Sequence, residues 1–338
     1  MLVLRRTSTK PGRVTLAAWT TGAVEMLKLI RNRLAISIPM LFLVTALVFI
    51  LQSFLPGDAA KALAGLTATD EAVQALRTEM NLDKPLPVQY WLWLSGLFRG
   101  NLGRSLSNRE PVLDALKSRL PVSLALVSLA TLASTLLGVA LGLASSYGGR
   151  ATAVLADILS ILGMSVPSFW LSLMLISVFS VSLGWLPSMG YVTIAESAGG
   201  WIKSLILPVV GIAFSGMTSI AKQTRQGMLE ALNTDFVRNL RANGIRERSI
   251  VLKHCLRNAA LPAATTVGLL FIGLLGGAVI AEQIFGLPGL GSLAVIATQS
   301  HDIPMIQGVT LSFTLLVIGM NLVIDIVYGL LNPKVRHG

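Results

Sequence analysis

Charged positions are confined to a few parts of this chain. Six stretches carry no Asp, Glu, Lys or Arg: Leu34–Gly57 (24 residues), Leu120–Gly149 (30), Ile158–Ala195 (38), Ser204–Ala221 (18), Asn258–Ala281 (24) and Ile303–Ile324 (22). A helix needs about 20 apolar residues to cross a hydrocarbon core of ~30 Å. The pattern therefore predicts six membrane-spanning helices. The third run is too long for one helix. It contains the breaker Gly184-Trp185-Leu186-Pro187-Ser188-Met189-Gly190, so the third span is expected to end near Leu183. A shorter uncharged stretch, Pro85–Phe98, holds Tyr90, Trp91 and Trp93. It suits a helix at the water–lipid boundary, where amphipathic rings are stable, or one packed within a loop. One apolar run could be a buried core helix, but six in one chain are not explained that way.

Composition agrees with the pattern. Apolar residues make up 53%, charged residues 13%, and mean hydropathy is +0.72. Soluble domains carry roughly 25% charged residues, so a soluble domain and a disordered chain are both excluded. Cys255 is the single cysteine, which rules out an internal disulfide and a cysteine metal cage. The 27 Lys/Arg against 16 Asp/Glu leave a charge of +11. Its distribution argues for membrane sidedness and against a nucleic-acid partner. Residues 1–33 hold seven basic residues and Lys222–Ala260 holds eight, whereas Phe285–Asp302 holds none. Lys and Arg accumulate on the cytoplasmic side, so both termini of this multi-pass protein are expected there. Asp58–Arg119, with eight basic and seven acidic residues, would lie outside. The expected organisation is a poorly ordered leader (1–25), a first span (26–57), an extracytoplasmic region (58–119) and a transmembrane core (120–338) with a cytoplasmic loop at 222–260. Met26 begins a stretch that reads as a second start.

Catalytic signatures are absent. There is no G-x-x-x-x-G-K-[ST], no H-E-x-x-H and no G-x-S-x-G. Gly289-Leu290-Gly291-Ser292-Leu293-Ala294 fits a loose dinucleotide pattern but follows a membrane run, not a strand. His254, His301 and His337 have no ligand-like spacing. No catalytic, cofactor or metal residue is therefore assigned. Gly138–Gly142 and Gly273–Gly277 place glycines four apart, which allows close helix contact in lipid. Asp157, Glu282 and Asp325 lie near span ends and are expected to make structural interhelix contacts. An ion-coupled secondary transporter, the alternative from a different class, would favour acids at the midplane.

The loop from Met228 to Pro262 is the most informative segment. Asn233 or Thr234 can cap a short helix starting near Asp235, whose charge suits the helix dipole. Phe236, Val237 and Leu240 form an apolar stripe flanked by Arg238 and Arg241, and Gly244 is the stop. A second basic amphipathic helix, about Arg246–Asn258, would return to the membrane, with Leu261-Pro262 at the start of span five. Such a projecting helix could lie on anionic lipid or plug a groove in a cytoplasmic partner.

Asp235-Phe236-Val237-Arg238-Asn239-Leu240-Arg241-Ala242-Asn243-Gly244 resembles the coupling-helix loop of binding-protein-dependent ABC importer permeases, most of all the dipeptide/oligopeptide type, whose family also includes nickel and glutathione importers. Leu240 and Asn243 depart from its usual alanine and lysine. Leu55-Pro56-Gly57-Asp58, Leu82-Asp83-Lys84-Pro85, Gly100-Asn101-Leu102-Gly103 and Ser105 follow the family, as does Leu256–Pro262. So do Glu282-Gln283-Ile284-Phe285, Pro288-Gly289-Leu290-Gly291, Asp302, Pro304, Gln307, Gly308 and Asn332-Pro333. The resemblance runs from about Met26 to the C-terminus. It implies an all-α, type I ABC importer permease-like bundle of six transmembrane helices in a bacterial plasma (inner) membrane. It also implies a second homologous permease subunit, two cytoplasmic ATPase subunits holding ATP and Mg, and an extracytoplasmic solute-binding protein. Under it, Asp235, Phe236, Val237, Arg238, Leu240, Arg241, Ala242 and Gly244 form the ATPase-coupling site. The solute would be a di- or oligopeptide, with nickel, glutathione or an opine as alternatives.

Overall fold

The computed structural model describes residues 16–54, 59–64 and 68–331. Leu55-Pro56-Gly57-Asp58, Asn332-Pro333 and residues 1–15 of the expected leader lie outside these. Among the described residues the chain forms helices and connecting turns: α1 Leu16–Gln52, α2 Ala59–Ala64, α3 Asp70–Glu79, α4 Leu86–Phe98, α5 Val112–Tyr147, α6 Arg150–Ser165, α7 Ser168–Leu175, α8 Ala198–Leu232, α9 Asp235–Ala242, α10 Glu247–Ser249, α11 Leu256–Phe285, α12 Leu290–Gln299 and α13 Ile303–Leu331. Residues 16–25 are helical and continuous with the rest of α1, whose apolar span runs from Ile30 to Gln52.

Five of these helices contain segments long and apolar enough to cross a membrane: Ile30–Gln52, Val112–Tyr147, Ala198–Leu232, Pro262–Phe285 and Ile303–Val327. The expected third span is corrected. It is not one straight helix from Ile158 to Leu183. Two helical segments, Arg150–Ser165 and Ser168–Ser182, meet at 102°. The cause is Pro167, which pushes the preceding residue out of the helical region. Val166 is accordingly extended (φ −85°, ψ 119°), and so is Pro167 (φ −62°, ψ 135°). The second segment continues from α7 as a wide π-type turn, Ile176–Ser182, and stops at the expected Gly184 breaker.

The most extensive pairing is α5 against α8, followed by α8 against α11. Gly138 and Gly142 explain the first. A Cβ on Gly138 would lie 2.7 Å from the Met217 carbonyl, and one on Gly142 2.6 Å from Thr224 Cβ. The α5 backbone can approach α8 only because both positions lack side chains. The second glycine pair behaves differently. Among the described residues, nothing lies within 4 Å of a would-be Cβ on Gly273 or Gly277 of α11, so the expected contact is not made there. Both instead line a cavity of about 480 Å³ with Ser168, Ser215, Ser219 and Thr266. The apolar core between these helices includes Leu126, Val127, Leu205, Ile212, Leu274 and Phe285.

Asp157 pairs with Arg225 at 2.5 Å and Asp325 with Arg33 at 2.8 Å, linking α6 to α8 and α13 to α1. The acids near the span ends thus make interhelix contacts, as expected. The Pro85–Phe98 stretch becomes α4, packed on α1: Tyr90 Oη lies 2.9 Å from Thr45 Oγ1 and its ring meets Phe49 edge-on at 5.7 Å. Trp91 stays exposed.

Candidate coupling site

α9 begins where Thr234 takes an extended conformation (φ −80°, ψ 151°). The capping is corrected in one respect: the Thr234 hydroxyl donates backwards to the Ala231 carbonyl (2.8 Å) and caps no α9 amide. Asp235 in the first turn favours the positive helix end. Gly244 ends the segment with φ +72°, a left-handed conformation that suits glycine. Ile245 N–H then donates to the Leu240 carbonyl at 3.1 Å.

The expected apolar stripe divides. Val237 is 1% exposed and packs with Met228, Ala231, Ile250, Val251 and Cys255; Leu240 lies against the same cluster. Phe236 is 50% exposed, its ring meeting His254 edge-on at 6.0 Å. One helical step of about 100° separates the two neighbours, so Val237 faces the bundle while Phe236 faces away. Asp235 and Arg238 are exposed and pair with each other at 3.3 Å. Ala242 and Gly244 are exposed at the helix end.

Arg241 flanks the stripe, half-exposed, and is paired within the chain. Its guanidinium grips Glu247 with two bonds, Nε to Oε2 at 3.0 Å and Nη2 to Oε1 at 2.6 Å. It is paired beyond α9, whereas Asp235 and Arg238 pair within the helix. The hydrogen bond from Arg241 holds the Glu247 carboxyl below the usual range, and Glu247 raises the guanidinium in turn. Burial pushes the Cys255 thiol up. Sequence reading missed Glu247. The available signal was an acid six residues after Arg241, across a glycine stop.

The expected second amphipathic helix is also corrected. α10, a π-type turn at Ile250–Cys255 and α11 follow one another directly. Pro262 lies inside α11 and is where its apolar span begins, as expected. The lost N–H is tolerated in spanning helices where neighbouring groups satisfy the backbone.

At the other end of α11 the dinucleotide-like turn grips a carboxylate of its own chain. Glu282 is 1% exposed. It accepts hydrogen bonds from Ser123 Oγ (2.6 Å) and the Ser292 backbone N–H (2.8 Å). Ser123 Oγ also accepts from Leu290 N–H at 2.7 Å. Glycine at 291 is required here, since a Cβ would lie 2.6 Å from Val279 Cα. α12 is therefore held at its start by a side chain of α11. Beyond its other end, buried Asp302 accepts from Ser105 Oγ at 2.5 Å and caps α13 through Met305 N–H at 3.3 Å. This brings together Ser105 and Asp302, two of the separate sequence motifs.

A bundle of span-length apolar helices with a small amphipathic helix between α8 and α11 marks a multi-pass membrane protein, and comparison with known proteins gives its class as a transport permease. The description "Binding-protein-dependent transport system inner membrane component" matches residues 134–337, and its N-terminal counterpart matches residues 26–127. The chain belongs to this family. A peptide transport system permease protein of Brucella abortus (strain 2308) is 41% identical over 315 residues, covering 92% of this chain and 100% of the relative. A glutathione transport system permease protein of Escherichia coli (strain K12) is 38% identical over 313 residues, covering 92% and 100%. A solved amino acid ABC transporter chain overlaps 64% of this chain and 94% of its own length, at 17% identity and a TM-score of 0.49.

Proposed function

We propose that this chain is the transmembrane permease subunit of an ATP-driven importer for di- or oligopeptides. It works beside a second homologous permease, above two cytoplasmic ATPase subunits and below an extracytoplasmic solute-binding protein. The observation that carries this reading is the division of α9. Val237 and Leu240 anchor the helix in the bundle, while Phe236, Asp235 and Arg238 are left exposed on a rigid projection. A solvated loop has no need of an exposed phenylalanine between two charges, whereas a groove-filling helix does. The peptide assignment is supported by the relative from Brucella. The Escherichia coli relative supports glutathione, itself a small peptide, as a second reading.

In this reading the chain catalyses nothing, and the ATPase subunits hold ATP and Mg. Both termini and α9 are cytoplasmic, and α12 lies on the outer side. Closure of the ATPase pair moves α9, and the helices alternate between two packings. Such coupling requires α9 to make different contacts in the two states. Uptake measured with Phe236→Asp and Gly244→Pro tests this. Both variants should insert normally and lose transport. Normal uptake by both, or uptake by this chain alone in liposomes without ATP, would remove the reading in favour of a self-contained carrier.

A further inference from the structure

α9 touches the rest of the protein through apolar packing beneath it, through the Phe236 ring against His254, and through charged groups. Its underside, Val237 and Leu240, rests on side chains from both α8 (Met228, Ala231) and the turn leading into α11 (Ile250, Val251, Cys255). Apolar contact of this kind is non-directional. It holds the helix down without fixing its heading. The edge-on Phe236–His254 contact, at 6.0 Å, points to the same turn before α11; the shorter directional contacts come from charged groups, and the two arginines of α9 use theirs differently. Arg238 pairs within α9, three residues from Asp235, and so ties the helix to nothing else. Arg241 reaches across the Gly244 turn to Glu247, the first residue of α10.

That pair is two parallel bonds, at 2.6 and 3.0 Å. A bidentate guanidinium–carboxylate contact fixes a plane as well as a distance. Its side chains are 46% and 35% exposed, and exposed pairs contribute about 0–1 kcal/mol to stability. Such a pair has little value as a stabiliser. Its value is orientation. From Glu247 the helical backbone runs on through the π-type turn and α11 to Phe285. Three residues before that end, Glu282 holds the start of α12. No comparable charged tie joins α9 to α8 among the described residues.

We propose that Glu247 is a positioning residue that locks the α9 heading to α11, so that movement of α9 is delivered to that helix and through it to α12. Arg241 then acts as the other half of a strut and not as a contact to the ATPase. The proposal rests on the coupling reading of α9 given above.

The test uses the full complex of permeases and ATPase subunits in lipid nanodiscs, with the binding protein as it purifies. Glu247→Arg, Arg241→Glu and the double swap are compared for retained ATPase subunits and for stimulation of ATP hydrolysis by the binding protein. Each single variant should keep its ATPase subunits and lose roughly 10-fold in stimulation, inside the 5–150-fold range usual for coupling between sites. The double swap should recover most of it, which a general loss of folding would not allow. Full stimulation in Glu247→Arg overturns the proposal. So does a double swap as inactive as the singles, because Arg241 would then be needed for its own charge. Release of the ATPase subunits from Glu247→Arg also overturns it, since the residue would then serve attachment. The underlying docking reading is judged separately: retention of ATPase subunits and of stimulation in Phe236→Asp would sink that reading whatever the swap shows.

Discussion

The two glycine pairs offer a direct test of how this bundle is packed. Gly142→Ala places a Cβ 2.6 Å from Thr224 Cβ and 2.7 Å from the Ala221 carbonyl. Ordinary contact begins at about 3.4 Å, so α5 and α8 must separate by most of an ångström or distort. Overpacking of this kind costs about 1–3 kcal/mol. The same substitution at Gly273 meets nothing within 4 Å. Both changes carry the same gain in helix propensity, about 1 kcal/mol for Gly to Ala. The difference between the two variants therefore isolates the packing term. Gly142→Ala should be the less stable by about 1–3 kcal/mol, and Gly273→Ala should equal or exceed the parent. Thermal unfolding of the isolated chain in detergent, followed by tryptophan fluorescence, measures both. Equal destabilisation at the two positions, or the reverse order, would refute the account of α5–α8 contact.

Other expectations follow from the site. Cys255 is buried and its thiol is pushed up, so the native protein should resist maleimide at pH 7 while a cysteine at position 236, in a Cys255→Ala background, should label readily. Val237→Ala removes two methyls from a filled site and should destabilise by about 1–3 kcal/mol, whereas Phe236→Ala should leave unfolding nearly unchanged and weaken ATPase attachment; unfolding and co-purification separate them. Glu282→Ala leaves the Ser123 hydroxyl and Ser292 N–H without their acceptor, at about 1–3 kcal/mol per unsatisfied group, and hydrogen exchange at α12 should rise. The folded Glu247 carboxyl lies below its ordinary value of 4.5. Its pairing with Arg241 is then fully present above that value and is lost only as pH falls through the lower folded value. In a His254→Gln background, which removes the neighbouring imidazole, a fluorophore at position 236 should show no transition from this pair between pH 7 and 5, and a transition there would count against it.

Much of this protein was legible in one dimension. Uncharged runs of about twenty residues specify spans because lipid excludes unpaired charge and demands internally bonded backbone. The α9 segment was legible because its signals are local: Asp235 at a helix start, Gly244 at a helix stop, and apolar residues at helical spacing. Pro167 was also available as a signal; the uncharged run around it concealed the 102° break. Tertiary structure decided the rest. Gly138–Gly142 and Gly273–Gly277 are the same pattern, yet among the described residues only the first meets a neighbour, because a helix face gains meaning from what is packed on it. Glu282 finds Ser123 from 159 positions away, and Asp302 finds Ser105 from 197. Phe236 and Val237 are adjacent apolar residues with opposite fates, set by the direction in which α8 and α11 approach α9. Hydrophobic pattern fixes which segments leave water; the pairing of the few polar groups they carry depends on distances that exist only once the helices have come together.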